Sequence, residues 1–313
     1  MCTAIHYCPN SAFFGRTLDL HYHYKECFCV IPRNFDYNFE KKPSKCHAVM
    51  GTAFIKDSYP LLYDAINEKG LAVAGLNFVG NAVYDTAKER LFQVPVFKFI
   101  PWVLSQAASV AEAEALINKT NITGEVFSKE LPNAQLHFII ADKERAITVE
   151  PTERGIIITE NPVGVLTNNP TFDFHLNNLC RYSNLSNAQG ENVFEKAYGL
   201  KVYSNGQAAL GLPGDYSSPS RFVRTAFLKA NSTIIQSDKG INQLFHILNS
   251  VQVPRGAVKA EDDNKYVTTV YTCGYDLYKK IYYYKTYVNQ NIKEHRMDCG
   301  DLNGKVPFCF PFA

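Results

Sequence analysis

The start of the chain consists of two strand-like runs separated by turn residues. The stretch TAIHY (3–7) leads through the turn sequence CPNS into AFFGRTLDL (12–20), which predicts a β-hairpin. GLAVAGLNF (70–78) is almost wholly apolar and predicts a buried strand. Residues 136–170 predict a β-meander, and the tyrosine-rich run 266–288 predicts a strand pair.

Three other segments repeat their apolar residues at helical spacing. They are VLSQAASVAEAEALINKT (103–120), SPSRFVRTAFLKA (218–230) and INQLFHILNSV (241–251). Pro219 suits the first position of a helix. Because strands and helices are grouped rather than strictly alternating, we expect an α+β fold with mainly antiparallel sheets. The chain contains no linker or repeat, so residues 1–313 are expected to form a single domain.

Composition narrows the class of protein. Apolar residues make up 46% and charged residues 20%, which is ordinary for a globular protein. The 32 basic and 30 acidic residues are well mixed, so charge gives no basis for a nucleic-acid partner or for an anionic membrane surface. No apolar run is long enough to span a membrane, and no secretory signal is visible. The 9 cysteines are irregularly spaced, unlike a disulfide framework. We therefore expect a cytoplasmic protein with reduced thiols.

Cys2 is the first candidate for chemistry. If Met1 is removed, this residue carries both a thiol and a free α-amino group, whose pKa of roughly 7.7–8.0 suits it as a base for the thiol. Arg16 and Asp19 lie on the strand expected to pair with the first one, where an arginine favours a thiolate and a carboxylate orients an amine. Residues three apart on a regular strand point to opposite faces, so both reach Cys2 only if the strand ends or bulges. The alternative is an ordinary thiol at a frayed end.

Eight longer motifs make the chain resemble the choloylglycine hydrolase family, which comprises the bile salt hydrolases and the related penicillin V acylases. In chain order they are MCTAI, FFGRTLDL, VIPRNF, INEKGLAVAGLNF, GVLTNNPTFDFH, LPGDYSSPSRFVR, LFHILNSV and IYYYKTY. They extend from residue 2 to about residue 290. The resemblance implies a four-layer αββα sandwich of the N-terminal nucleophile hydrolase type, often assembled as a homotetramer, and neither a cofactor nor a metal is expected.

The resemblance also implies a role for each matching residue near the start of the chain. Cys2 is the nucleophile, exposed when Met1 is removed. Arg16 lies beside the thiolate, and Asp19 holds the α-amino group. The family's reaction is the hydrolysis of a non-peptide amide bond through a thioester on the cysteine.

The remaining site residues implied by the resemblance lie further along the chain. Asn77 and Asn168 form the oxyanion hole, and Arg221 completes the site. From the residues alone, an asparagine close to Pro170 is a common turn former, and an arginine at a helix start commonly faces solvent. Asn77 favours a bile salt as substrate, because this position is typically Asn in bile salt hydrolases and Tyr in many Gram-positive penicillin V acylases.

The substrate expected from this pattern is a glycine- or taurine-conjugated bile salt, with penicillin V or another acyl amide as the alternative. Three aromatic segments are expected to line an apolar pocket for a steroid: HYHYKECFCVI (21–31), FVGNAVYD (78–85) and TFDFH (171–175). The different-class alternative is a catalytically silent, thiol-bearing assembly protein that retains the fold, which retention of Met1 would favour.

Two weaker patterns suggest other chemistry. An H-x-H-x₃-C-x-C spacing offers four possible zinc ligands, but it matches no standard zinc module. Its members are His21, His23, Cys27 and Cys29. A cysteine–histidine protease arrangement would pair Cys180 with His175 or His246, without any flanking motif to support it.

Overall fold

Two stacked antiparallel sheets form the centre of the computed structural model, which describes residues 1–85, 91–233, 240–260 and 264–312. In chain order, the strands in these residues are β1 (Cys2–Tyr7), β2 (Phe13–Leu20), β3 (Cys27–Ile31), β4 (Val49–Lys56), β5 (Tyr59–Asn67), β6 (Ala72–Asn77), β7 (Phe92–Pro95), β8 (Thr120–Thr123), β9 (Leu136–Ala141), β10 (Ala146–Thr152), β11 (Gly155–Glu160), β12 (Val165–Leu166), β13 (Val258–Lys259), β14 (Tyr266–Asp276), β15 (Ile281–Thr286), β16 (Lys293–Arg296) and β17 (Phe308–Pro311). The helices are α1 (Phe99–Gln106), α2 (Val110–Ile117), α3 (Phe172–Leu179), α4 (Ser218–Ala230) and α5 (Gly240–Asn249).

The first sheet has the strand order β12-β1-β2-β14-β15-β16, with β13 paired to β14. The second has the order β11-β10-β9-β6-β5-β4-β3-β17. Every pair in these two sheets is antiparallel, and a small separate pair, β7 with β8, is parallel. The predicted hairpin is β1 with β2, in which Cys2 lies opposite Leu18 and Tyr7 lies opposite Phe13. The meander and the tyrosine-rich strand pair are also present.

Helices cover both outer faces of the stacked sheets. Helices α4 and α5 pack on the first sheet with α3 beside α4, and α1 packs on the second sheet with α2 beside it. One apolar cluster fills the space between the sheets and under α5, and the other joins the outer face of the second sheet to α1. The expected α+β, four-layer αββα sandwich is therefore confirmed.

The helix predicted over 103–120 is wrong in one respect, because the structure divides this region. Helix α1 ends at Gln106, Ala107 is extended, and α2 starts after Ser109. The Ser109 side chain accepts a hydrogen bond from the Glu112 N–H, and the Glu112 carboxylate accepts one from the Ala108 N–H. This reciprocal capping stabilises a new helix start, so the chain turns there instead of continuing.

The other two predicted helices agree with the structure. Helix α4 spans the predicted residues, has Pro219 in its first turn, and buries one face against the first sheet. Helix α5 occupies most of its predicted range. No helix among the residues described combines the length and the apolar character needed to cross a bilayer.

Candidate active site

Cys2 begins β1, which lies between β2 and β12 in the first sheet. Its side chain is 2% exposed and borders a cavity of about 380 Å³ between the two sheets. The Cys2 main-chain N donates a 2.8 Å hydrogen bond to the Asn168 Oδ1, a contact that joins residues 166 positions apart. The sheet register therefore fixes the thiol at the buried inner end of a cavity.

Arg16 faces the same cavity as Cys2. It lies opposite Ala4 in the β1–β2 pair, and its side chain is fully buried. Its Nη1 donates to the carbonyl oxygens of Tyr63 at 3.0 Å and Gly75 at 2.9 Å. Burial acts to lower the pKa of Arg16, but nearby acidic groups, Cys2 foremost, raise it above its ordinary value, so the guanidinium is positively charged. A fixed positive charge at this position favours the thiolate of Cys2.

Asp19 lies on the opposite face of the same strand. The strand β2 continues to Leu20 without a bulge of its own, so Arg16 and Asp19 point to different sides, as their spacing predicts. The buried Asp19 carboxylate accepts hydrogen bonds from the hydroxyls of Thr17 at 3.1 Å and Thr269 at 2.6 Å. Its main chain pairs with Met1: the Asp19 N–H donates to the Met1 carbonyl, and the Met1 amino group donates to the Asp19 carbonyl.

Arg221 forms hydrogen bonds both with the start of β1 and with Asn168. It is fully buried in the first turns of α4, contrary to the solvent-facing alternative. Its guanidinium donates to the Cys2 carbonyl, to the Thr3 hydroxyl at 2.7 Å and to the Asn168 Oδ1 at 2.7 Å. Burial lowers the pKa of Arg221, and the nearby Asp19 opposes that shift. The planar fork of an arginine is suited to holding several acceptors in fixed positions.

Asn168 contacts Asn77, which borders the cavity. The Asn168 Nδ2 donates to the Asn77 carbonyl at 2.8 Å, while the Asn168 main chain is held by Ser218 Oγ and by His175 Nε2. The Asn77 side chain borders the cavity, and within the described parts of the chain nothing forms a hydrogen bond with its amide. The structure thus places two asparagine amides, the Cys2 thiol and the Arg16 guanidinium close together at the cavity.

The cavity wall beyond these polar groups is apolar. Tyr22 and Val79 lie near its opening, where they are 38% and 61% exposed. The other aromatic and aliphatic members of the wall include Tyr24, Phe54, Leu61, Leu62, Phe97, Phe127 and Leu131. Two of the three predicted aromatic segments therefore contribute to the wall. The third does not, because Phe172 and His175 pack against Phe222 in the helical layer.

Several supporting residues were not found from the sequence. Thr17 and Thr269 hold Asp19, Ser218 holds the Asn168 segment, and Asp64 lies 3.7 Å from the Arg16 guanidinium. No local motif marks these residues, since each acts through a partner on another strand or helix.

The structure does not bring together the residues of the possible zinc site or of the cysteine–histidine protease pair within the ranges it describes. Across the ranges that the structure describes, no three His, Cys, Asp or Glu side chains form a set that could hold a metal ion. His175 is directed at the Asn168 carbonyl at 2.8 Å rather than at Cys180, which is exposed at the end of α3. His246 is exposed on α5.

The fold and the site together define a class of enzyme. A four-layer αββα sandwich whose first strand begins with a buried cysteine, beside a buried arginine and two asparagines, is that of the cysteine hydrolases of the N-terminal nucleophile type. The family model described as "Linear amide C-N hydrolases, choloylglycine hydrolase family" matches residues 2–310. The chain belongs to the choloylglycine hydrolase family, and it is a cysteine amidase.

Curated relatives and solved structures agree with this assignment. The chain is 44% identical to a bile salt hydrolase/transferase of Lactiplantibacillus plantarum over 99% of the chain and 97% of the relative. It is 36% identical to one from Clostridium perfringens over 97% and 94%. A cysteine-to-alanine variant of the Clostridium perfringens conjugated bile acid hydrolase superposes with a TM-score of 0.90 at 34% identity, covering 100% and 97% of the two chains. The penicillin V acylase of Agrobacterium tumefaciens shares the fold, with a TM-score of 0.74 at 20% identity over 98% and 90%.

Proposed function

We propose that this protein hydrolyses the amide bond of glycine- or taurine-conjugated bile salts, with Cys2 as the nucleophile. One observation carries the proposal: the buried thiol and the Arg16 cation meet at the inner end of a cavity whose wall is mostly aromatic and aliphatic. A pocket of this size and character accepts a large apolar ligand with a few fixed polar groups. The steroid nucleus of a bile salt is rigid and has one apolar face, and its side chain ends in the amide followed by the glycine carboxylate or the taurine sulfonate. The names of the curated relatives support the same substrate.

The chemistry follows from the groups around the thiol. Cys2 Sγ attacks the amide carbonyl carbon, and the carbonyl oxygen gains negative charge. The amide groups of Asn77 and Asn168 are the donors for that oxygen, and one such donor contributes roughly 3–4 kcal/mol to transition-state stabilisation. The carbon–nitrogen bond breaks, the amine leaves with the proton taken from the thiol, and a thioester remains. Water then cleaves the thioester and releases the bile acid.

The base in this scheme is the α-amino group of Cys2, which requires removal of Met1. The contact from the Cys2 nitrogen to Asn168 Oδ1 supports this role, because it would hold the freed amine beside its own thiol. In this proposal the Asp19 carboxylate, on the other face of strand β2 and near Arg221, attracts the protonated form of the freed amine. We further propose that residues 1–313 act as a single domain in the cytoplasm, where 9 irregularly spaced cysteines remain reduced.

The test is amine release from glycocholate, taurocholate and penicillin V by purified protein, compared with Cys2→Ala and with the matched control Cys180→Ala. We expect glycine or taurine release by the unmodified protein and by Cys180→Ala, and none by Cys2→Ala. Cleavage of penicillin V alone would move the substrate to the family's other activity. Turnover by Cys2→Ala would overturn the mechanism.

Intact mass separates the enzyme from the silent alternative. A protein that has lost one methionine and releases amine supports the proposal. Complete retention of Met1 together with no turnover of any of the three substrates would favour a catalytically silent relative, because the base would then be part of a peptide bond.

We also infer that the protein assembles as a homotetramer, through contacts that include residues 183–212. This segment exposes six large apolar side chains, an unusual density for a monomer surface. They are Val193, Phe194, Tyr198, Leu200, Tyr203 and Leu210. Their occupant in this proposal is a second copy of the chain.

Sedimentation velocity tests the assembly. The double variant Phe194→Ser/Tyr203→Ser is expected to sediment as a smaller species than the unmodified protein. Val288→Ser is the matched control, because Val288 is 89% exposed at a turn outside this segment. A monomeric unmodified protein, or identical sedimentation of all three, would overturn the inference.

A further inference from the structure

Asp64 is a fully buried carboxylate on β5, between the two sheets and next to the active site. Its Oδ2 lies 3.7 Å from the Arg16 Nη1 and accepts a hydrogen bond from the Tyr271 hydroxyl. Its Oδ1 accepts from the Tyr275 hydroxyl at 2.5 Å, and the Cys273 thiol lies 3.2 Å from the same oxygen. A buried carboxylate is costly unless it is paired and hydrogen-bonded, and this one is both.

One donor in the group formed by Arg16, Asp64 and their hydrogen-bond partners is left without an acceptor within the described ranges, and it lies on Arg16. Nη1 and Nε of Arg16 donate to main-chain carbonyls, but within the described ranges the buried Nη2 has no hydrogen-bond partner. Arg16 borders the cavity beside Cys2, so this donor is available to the sulfur or to a bound substrate. Asp64 lies against the Nη1 of the same guanidinium, where it opposes rotation of the group and partly balances its charge.

We propose that Asp64 is a positioning residue for the reaction: it holds the Arg16 guanidinium in place and sets how much of its positive charge acts on Cys2. The inference rests on the proposed function, since it assumes that Cys2 is the nucleophile. Four donors surround the carboxylate and none of them is a cation: the hydroxyls of Tyr271, Tyr275 and Thr52, and the thiol of Cys273. Arg16 is the cation with which it forms an ion pair.

The other titratable groups around Asp64 remain uncharged near neutral pH. Burial raises the pKa of each of these groups above its ordinary value, so they act as donors rather than as charges. They are Cys29, Tyr271, Cys273, Tyr275 and Tyr282. Tyr63, beside Arg16, also has its pKa raised by burial.

Around Cys2 itself, the charged groups are Arg16, Arg221 and the α-amino group that removal of Met1 frees, with Asp19 near Arg221. The α-amino group is the same in every variant compared. Tyr22 is also close, and burial raises its pKa to about 12. Removing the charge of Asp64 while Arg16 stays in place therefore leaves more positive field at the thiol. A more positive field stabilises the thiolate and so lowers the pKa of the Cys2 thiol. The thiolate of a thiol with a lower pKa is a weaker nucleophile.

The experiment measures how the alkylation rate of the Cys2 thiol depends on pH. Full-length protein is alkylated with iodoacetamide over a range of pH, and modification of Cys2 is followed by mass spectrometry with fragmentation, which separates it from the exposed Cys8 on the same tryptic peptide. In Asp64→Asn we expect the midpoint of the rate profile to fall by about one pH unit. The plateau rate constant is expected to fall about threefold for each unit of that shift. A loss of packing alone would not lower the midpoint.

Two variants that keep the charge serve as controls. Tyr271→Phe removes a hydrogen bond to the carboxylate, and Asp64→Glu moves the carboxylate by one methylene; the midpoint of each is expected to stay near that of the unmodified protein. If Asp64→Asn does not fold, Asp64→Ser replaces it, because the smaller side chain leaves room for water beside the tyrosine hydroxyls, and the same fall is expected.

An unchanged or higher midpoint in the charge-removing variant would overturn the proposal, as would an equal fall in Tyr271→Phe. Alkylation needs no bile salt, so this result stands apart from the substrate test. Unmodified protein that releases no amine, yet shows the shift in Asp64→Asn, would contradict the proposed substrate and keep the role of Asp64.

Discussion

Replacing Thr269 with valine is expected to destabilise the protein by removing one hydroxyl that serves two buried partners. The Thr269 Oγ1 donates to the Asp19 carboxylate at 2.6 Å and accepts from the Val253 N–H at 2.8 Å. Valine has nearly the same volume, so the substitution changes hydrogen bonding with little change in packing. Asp19 keeps the weaker bond from Thr17, at 3.1 Å, and Val253 loses the side-chain acceptor of its N–H.

The magnitude follows from these two losses. A hydrogen bond to a charged group contributes about 1.5–3 kcal/mol, and leaving a buried N–H without a partner costs about 1 kcal/mol or more. The free energy of unfolding should therefore fall by about 2–4 kcal/mol. Thr272→Val on the same strand is the matched control. The Thr272 hydroxyl accepts from Gln252, which is partly exposed and can bind water instead, so a loss below about 1 kcal/mol is expected.

Urea unfolding followed by tyrosine fluorescence measures both variants under the same conditions. Equal losses of stability in Thr269→Val and Thr272→Val would refute the reasoning, because they would show that the contact with Asp19 contributes nothing beyond an ordinary buried hydroxyl. Amine release, measured beside it, should fall further in Thr269→Val than in the control if Asp19 orients the amine of Cys2.

Three further outcomes are expected. Burial lowers the pKa of His175 from 6.5 to about 4, so the unfolded chain binds the extra proton first, and the contribution of His175 to stability should fall by about 3 kcal/mol as pH drops from 6.5 to 4. His175→Gln should reduce the loss of stability over this range by about that amount, while His6, whose pKa burial also lowers to about 4, keeps its own contribution; an unchanged urea midpoint against pH would contradict this. Gly15→Ala should not yield folded protein, because a Cβ there would lie 2.5 Å from the Cys273 carbonyl and 2.8 Å from Leu244; Gly214→Ala, with open space, should show unchanged circular dichroism. Cys2→Ser should release amine far more slowly than the unmodified protein, because a hydroxyl is the weaker nucleophile; equal rates would contradict thiolate chemistry.

Local sequence signals accounted for most of the fold. Helix α4 was predictable from its Ser-Pro start and its apolar spacing, and the first hairpin was predictable from its turn residues. The break between α1 and α2 also had a local signal, the Ser109–Glu112 capping pair, but the alanine-rich run around it suggested one continuous helix.

The supporting network of the site had no such signal. Asp64 is the single acidic residue of a mostly apolar strand, and its partner Tyr271 is 207 positions away. The pairing depends on how the two sheets stack, which strand patterns do not specify. By contrast, the six candidate residues came from whole motifs, and the structure brings Cys2, Arg16, Asn77, Asn168 and Arg221 together while it places Asp19 behind the strand.

The Thr167 hydroxyl and the Asn168 N–H both donate to Ser218, and these hydrogen bonds join the two ends of the segment between residues 168 and 218. Everything between these residues, including the exposed apolar stretch, leaves and returns to the site at one fixed point. Each doubling of such a loop costs only about 0.6 kcal/mol in closure entropy. Natural selection can therefore lengthen, shorten or rewrite the exposed part of this segment, residues 183–212, to change how subunits meet, while α3, whose His175 contacts the Asn168 carbonyl, and the geometry around Cys2 are kept.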